Sequence, residues 1–267
     1  MKLLSRFKAP LMDGIDTSMA LWPNPTPNAA RLKAARIVAH RGLVSAQSPE
    51  NTLKAFEDAA RAGIWAVEFD IRWTQCQHPV IHHDPNCRRI FKNPSVIAKT
   101  SFKELRSAVP DLASFDEVLE RIGKTTHMMI EIKDPVDTIS ETKLNSLKSR
   151  LKNLEPVRDY HIMSLDTRIF KKLDFVPTEA WLPIAEFKVS EFSDFALRHH
   201  TAGLTGYYLF LGPQTIQRHH EAKQIIGTGF VNSPSILFRE LNRNVDWIFS
   251  DTAKELQETL KSELAKL

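Results

Sequence analysis

The chain has 267 residues, 42% apolar and 25% charged, which suits a folded globular protein and excludes a disordered one. Its 36 basic against 32 acidic side chains leave a net charge of +4, with Lys and Arg scattered, so nucleic-acid binding is not expected, although an anionic small molecule is welcome. Two cysteines, Cys76 and Cys87, exclude a disulfide framework or multi-cysteine zinc site and are expected to be free thiols.

Residues 1–35 carry Pro10, Pro23, Pro25 and Pro27 and read as an irregular N-terminal arm packed on the body, with one short helix at 29–34. The early apolar run is broken by Arg6, Lys8 and Asp13, and no uncharged apolar run of about 18 residues exists anywhere. Neither a secretory leader nor a transmembrane segment is therefore expected, and the cytoplasm is the expected location. A strand is predicted at 36–39. Pro49-Glu50-Asn51-Thr52 then opens a helix to about Ala62, with Leu53, Phe56, Ala59 and Ala60 on its apolar face and Gly63 ending it. Strands follow at 64–71 and 80–82, helices at 102–107 and 115–122, then a strand at 128–132 and a helix at 138–153. The remainder alternates, with strands near 160–163, 180–184, 203–207, 224–226 and 245–249. Helices are expected near 167–173, 191–199, 213–220, 234–241 and 253–264. Eight strand–helix units in roughly 230 residues imply a closed (β/α)8 TIM barrel over 36–267, with a short insertion after the second strand. No GxGxxG follows the first strand, so dinucleotide binding has no support.

Chemistry in such a barrel sits where strands end and loops begin. His40-Arg41-Gly42 ends the first strand, Glu68 and Asp70 lie on the second, His82-His83-Asp84 follows a short strand, and Glu131-Ile132-Lys133 ends the next. Glu68 and Asp70 are two apart and share a strand face. Two carboxylates forced into the barrel interior repel each other, and either of two arrangements resolves this. A divalent cation with Glu131 as third oxygen ligand suits Mg2+ or Ca2+; alternatively, Arg41 and Lys133 neutralise them in a buried ionic network. Histidine beside such a site is the usual proton carrier near neutral pH. His82 and His83 are adjacent, so only one can face the mouth. The pairs His199-His200 and His219-His220 are expected on solvated helix surfaces.

These residues, in order, closely resemble the glycerophosphodiester phosphodiesterase family. The resemblance rests on His40-Arg41-Gly42, Pro49-Glu50-Asn51-Thr52, Ala55-Phe56, Gly63, Glu68-Phe69-Asp70, Thr74, Pro79-Val80, His83-Asp84 and Glu131-Ile132-Lys133. Later stretches at 110–119, 231–232 and 245–251 also look like that family. It implies a TIM barrel that hydrolyses a glycerophosphodiester to sn-glycerol 3-phosphate and an alcohol with one divalent cation, Mg2+ or Ca2+. Carried over by position, Glu68, Asp70 and Glu131 are the metal ligands and His40 and His83 the acid/base pair. Arg41 and Lys133 hold the phosphate, and Glu50 braces the site from behind.

Three departures from the family pattern bear on substrate choice. Cys76-Gln77 stands where Asp-Gly is usual, which alters a turn rather than the chemistry. Gly229-Phe230-Val231-Asn232 stands where Trp-Thr-Val-Asn is common, which removes an aromatic from the mouth, with Phe230 as its substitute in substrate binding. The stretch 84–127 looks short, leaving a small cap. Headgroup discrimination is therefore expected to be weak unless Phe230 or the N-terminal arm fills the gap. A lysophospholipase D-like activity on lipids retaining one acyl chain is the alternative, favoured by an apolar groove at the mouth. A non-catalytic ligand-binding barrel would require loss of a ligand or histidine, and none is missing. Oligomeric state is not legible.

Overall fold

Eight parallel strands close on themselves in the computed structural model, which describes residue 14 and residues 16–267. In chain order the strands are β1 (Arg36–His40), β2 (Ala66–Trp73), β3 (Pro79–Ile81), β4 (His127–Ile132), β5 (Tyr160–Ser164), β6 (Trp181–Ala185), β7 (Gly203–Tyr207), β8 (Ile225–Gly229) and β9 (Trp247–Ser250). β1 pairs in parallel with both β2 and β9 and so closes the ring. β3 is not a stave; it folds back antiparallel on the end of β2 and leads into the insertion.

The helices are α1 (Ala29–Ala34), α2 (Leu53–Arg61), α3 (Arg88–Phe91), α4 (Phe102–Ala108), α5 (Phe115–Ile122), α6 (Glu141–Leu151), α7 (Val189–Arg198), α8 (Pro213–Glu221), α9 (Pro234–Asn242) and α10 (Ala253–Leu264). Their starts follow local chemistry. Thr52 caps α2, and Ser101 and Ser114 form reciprocal capping boxes with Glu104 and Glu117 on α4 and α5. No helix among the described residues is long and apolar enough to cross a membrane. Cys76 and Cys87 are both free.

The alternating strand–helix pattern places most elements within a few residues of expectation, with four differences. α2 begins at Leu53 rather than at Pro49, because Asn51 adopts a left-handed backbone (φ 59°) that no helix accommodates. The expected helix at 167–173 is a 3-10 segment, Thr167–Lys172, confined between the Asp166 cap and Leu173. Two α-helical stretches were not expected: α3, within the insertion, and residues 16–21 of the arm. His219 is fully buried rather than solvated, since its ring bridges Ser193 on α7 and Gln224 before β8 at 2.9 and 2.7 Å. Of the arm, residues 1–13 and 15 lie outside the described residues.

Side-chain alternation divides the core in two. Outward positions such as Ile37, Val67, Phe69, Ile130 and Ile162 pack against helices in the larger core. Inward positions Val38, Ala66, Met129, Met163, Leu182, Trp247 and Phe249 fill the barrel itself. Gly227 makes room there, because a Cβ would come within 3.0 Å of the Phe249 ring and the Thr205 hydroxyl. The end of the barrel opposite the strand termini is closed by Trp65, Trp247, His127 and His161. The His127 Nδ1–H donates to the Arg158 carbonyl (2.9 Å), so its Nε2 accepts from His161 Nδ1–H at 2.8 Å. Trp65 stacks on His127 with centroids 4.8 Å apart.

Burial, followed by the neighbouring His127, pushes the His161 pKa down to about 3. An unfolded histidine titrates near 6.5, so below that pH the unfolded chain binds a proton the folded chain refuses. Stability should fall as pH drops from about 6.5 toward 3, by at most about 1.4 kcal/mol per pH unit from this residue. Denaturant melts across that range should show the slope in the wild type and a flatter one in His161→Gln, whose amide can still donate to His127. Equal slopes would remove His161 as the cause.

Candidate active site

Period-two alternation carries Glu68 and Asp70 into the barrel mouth, and the register Asp70↔Glu131 sets the third carboxylate beside them on β4. All three are buried, and their oxygens approach within 4.8 Å of one another. Burial and the Asp70 charge push the Glu68 pKa up, and burial also raises Glu131. Burial would raise Asp70 too, but Lys133 and Arg41 outweigh it and hold that group below the carboxylate range. Three carboxylates thus face the Arg41 and Lys133 side chains, and burial opposes the ionisation of Glu68 and Glu131. Glu68 Oε1 and Asp70 Oδ1 are buried with no hydrogen-bond partner. An all-oxygen donor set with orphaned, desolvated oxygens fits a hard divalent cation.

The two cations are placed by local backbone. Arg41 takes a left-handed conformation (φ 59°) and donates its amide to Glu68 Oε2 at 3.1 Å. Gly42 follows at φ 85°, and a Cβ there would meet Ala55 on α2 at 2.8 Å, so only glycine lets the turn seat on that helix. The Arg41 guanidinium bonds Glu50 at 2.9 Å and reaches Asp70 at 3.4 Å, while its Nε has no hydrogen-bond acceptor. Asn51 donates to Asp70 Oδ2 at 2.8 Å and accepts from the Asp70 amide, holding that carboxylate from behind. Lys133 bonds Glu131 at 2.8 Å and pairs with Asp70 at 3.4 Å.

Each histidine of the mouth has its own carboxylate. His40 Nδ1 hydrogen-bonds Asp251 after β9 at 2.7 Å, and its Nε2 lies 3.8 Å from Glu68. Burial alone would lower the His40 pKa, but the Asp251 hydrogen bond and the Glu68 charge raise it above the ordinary value. Asp251 is steadied by Asn232, whose amide donates to it at 3.0 Å. His83 Nδ1 bonds Asp84 at 2.8 Å, and burial, the largest influence, lowers its pKa. His82 instead turns into the insertion, where it donates to the Asn86 carbonyl at 3.0 Å and stacks on Phe91. Arg89 on α3 ties these parts together: it bonds both oxygens of Glu50 and one of Asp84 at 2.7–2.8 Å.

These groups line one side of a cavity of about 480 Å³. The other side is aromatic. Phe230 meets His40 edge-on at 5.9 Å, Tyr207 meets Phe230 at 5.7 Å, Phe210 follows at 5.4 Å and Phe187 at 5.2 Å. Phe230 sits at φ 63°, a conformation costing a bulky residue about 1–3 kcal/mol, which turns the ring over the mouth. Asp16, from the arm, accepts hydrogen bonds from the hydroxyls of Tyr207 and Tyr208 and also lines the cavity. The gap left at Gly229 is therefore bordered by Phe230 and by the arm. At the Cys76-Gln77 turn, Gln77 itself takes the left-handed conformation (φ 62°) that a glycine would adopt without strain.

All the expected site residues thus meet at one mouth: His40, His83, Arg41, Lys133 and Phe230 line the cavity with Glu68 and Glu131, and Asp70 and Glu50 bond to members of that group. Sequence reasoning missed Asp251, Asn51, Arg89 and Asp16 as partners. Asp251 had one available signal, its place just past the last strand; Asn51, Arg89 and Asp16 lie on a turn, the insertion and the arm, whose paths no periodicity reveals.

A model of the glycerophosphoryl diester phosphodiesterase family matches residues 40–196, more than half of the chain. A glycerophosphodiester phosphodiesterase of Bacillus altitudinis is 25% identical over 251 residues, spanning 85% of this chain and 99% of that protein. A probable glycerophosphodiester phosphodiesterase 1 of Mycobacterium tuberculosis is 31% identical over 116 residues, 40% of this chain; the aligned part spans only 42% of that relative's length. Among solved structures, an Oleispira antarctica phosphodiesterase in complex with the product sn-glycerol-3-phosphate has the same fold, with TM-score 0.75 and 23% identity over 85% of this chain and 96% of that one.

The orphaned oxygens give the carboxylate cluster a measurable property independent of any reaction. Mg2+ or Ca2+ at a hundredfold excess over its Kd should stabilise the fold by about 2.7 kcal/mol, read as a saturable rise in Tm. Glu131→Gln should suppress most of that rise. A Tm indifferent to both cations would mean that Arg41 and Lys133 suffice to neutralise the cluster.

Proposed function

The chain belongs to the glycerophosphoryl diester phosphodiesterase family, and from that premise we propose that it hydrolyses glycerophosphodiesters to sn-glycerol 3-phosphate and an alcohol. The observation that carries the reading is that two histidines, each bonded to its own carboxylate, border the same cavity as Arg41, Lys133 and the carboxylate cluster. A phosphodiester is an anion that repels nucleophiles, so its site must supply positive charge before any proton moves. Arg41 and Lys133 supply part of it and orient the phosphate. A divalent cation held by Glu68, Asp70 and Glu131, when bound, supplies the rest as a Lewis acid toward the phosphoryl oxygens. Glu50 and Arg89 keep the Arg41 fork in place.

The proton work divides by environment. Asp251 favours the protonated form of His40, which suits it to give a proton to the departing alkoxide. Burial keeps His83 neutral, which suits it to take the proton from the attacking hydroxyl, either water or a free hydroxyl of the substrate glycerol. In the second case the first product is a cyclic phosphate, which water then opens. On this reading residues 36–267 are the catalytic barrel, and of the preceding arm Asp16 reaches the mouth.

Release of glycerol 3-phosphate from glycerophosphodiesters, with and without chelator, tests the proposal directly: activity should require a divalent cation. His40→Ala and His83→Ala should each lower kcat by about 10²–10⁴-fold, the usual worth of a positioned acid or base. His82→Ala should cost stability far more than turnover, because its ring packs inside the insertion. Full activity in chelator, or equal kinetic losses at His82 and His83, would overturn the assignment.

A further inference from the structure

A largely buried guanidinium beside the charged half of the mouth takes part in none of the steps above. We propose that Arg72 is a positioning residue for the reaction: it fixes His83 and Lys133 relative to each other without touching the substrate. The inference rests on the reading of the site as a glycerophosphodiester site and names the side chain that sets its base against its phosphate-binding cation.

The alternation that turns Glu68 and Asp70 inward gives Arg72 the next position on the same face of β2. The chains that carry His83 and Lys133 both run beside it, β3 antiparallel to β2 and β4 parallel. Backbone pairing with β2 reaches His82, whose amide donates to the Asp70 carbonyl at 2.9 Å, and Lys133, whose amide donates to the Ile71 carbonyl at 3.2 Å. One residue further on in each chain, the Arg72 side chain takes over. Its Nε donates to the His83 carbonyl at 2.9 Å, and its Nη1 donates to Asp134, the residue after Lys133, at 3.2 Å. A single planar fork thereby ties the two loops together at set angles, which a flexible ammonium cannot reproduce.

The remaining partners of Asp134 show what Arg72 alone supplies. The other oxygen of Asp134 accepts from the Lys143 ammonium at 2.8 Å and from the Trp73 amide at 3.4 Å. Lys143 comes from α6, is buried, and lies 5.4 Å from the centre of the Trp73 ring. Asp134 therefore has a cation without Arg72, and charge balance does not require a second one. What Lys143 does not provide is the bond to His83. The hold on His83 is divided accordingly: Asp84 bonds the Nδ1 of the ring, and Arg72 bonds the backbone from which that ring projects. Lys133 is fixed through its neighbour, so its ammonium stays over Glu131 and Asp70.

The test is the steady-state release of glycerol 3-phosphate from glycerophosphocholine by the full chain, with saturating Mg2+ and separately with Ca2+. Arg72→Lys should lower kcat by about 10–10²-fold, the scale of an ångström of misplacement, and should raise KM through Lys133. Lys143→Met removes the other cation from Asp134 and should lower Tm while kcat stays near the wild-type value. In a His83→Ala background the kcat loss from Arg72→Lys should vanish and the KM rise should persist, because a residue that acts through another is not additive with it. The same fold loss in kcat with and without His83 overturns the positioning role, as does an unchanged kcat in Arg72→Lys. Equal kcat losses in Arg72→Lys and Lys143→Met also overturn it, in favour of an ion pair that merely supports the fold. In each of these cases wild-type turnover leaves the phosphodiesterase reading intact. A wild-type chain that cleaves no glycerophosphodiester defeats that reading and the positioning role together. Should Arg72→Lys not fold, Arg72→Gln carries the same test, since Lys143 still neutralises Asp134.

Discussion

Three buried carboxylates converge at the mouth of this barrel, and much of the surrounding structure is arranged to keep them there. Isolated buried anions cost several kcal/mol each, so the barrel must surround them with donors or cations. Arg41 arrives through a left-handed turn that only a following glycine can seat against α2. Asn51 arrives through a second left-handed residue and clasps Asp70 on both its amide and its carboxylate. Lys133 comes from the end of the same strand as Glu131. Even so, two buried carboxylate oxygens are left without hydrogen bonds. Such a buried acidic cluster is compatible with a divalent cation.

A second tier of contacts links that arrangement to the two histidines of the mouth. Arg89 sits on the short α3 of the insertion, yet it grips Glu50, which holds Arg41, and Asp84, which holds His83. The insertion is therefore part of the site's scaffold, even though it is small. His40 is held differently, by Asp251 and Asn232 from the last two loops of the barrel. The two histidines thus belong to separate networks with opposite effects: one raises the proton affinity of its imidazole, and desolvation in the other lowers it. Such separation is what acid and base roles at one pH require.

The mouth is also divided by polarity. Its charged half is built from the early strand ends, its aromatic half from the loops after β6, β7 and β8 together with the arm. Low-polarity rings opposite the charged groups reduce solvent screening and strengthen every electrostatic contact in the cavity. The arm contributes through Asp16 and its two tyrosine partners, so a segment with little regular pattern of its own helps define the cavity.

What the sequence determined by itself was whatever depends on period and order. Alternation put Glu68 and Asp70 on one face, eight strand–helix units implied closure, and the motif His40-Arg41-Gly42 through Glu131-Ile132-Lys133 named the residues of the mouth. The first two signals are local, set by backbone geometry, whereas the motif identified residues through its resemblance to a family. Alternation could not choose between His82 and His83, because a loop begins where it stops; the family resemblance selected His83, and the tertiary structure places that side chain at the cavity. It also decided that Asp251 partners a histidine 211 residues away, that Arg89 links two loops, and that His219 is buried between Ser193 and Gln224. Each of those pairings joins segments remote in the chain through loops or helix faces. Their meeting is set by how the barrel closes, and that closure leaves no period in the sequence to read.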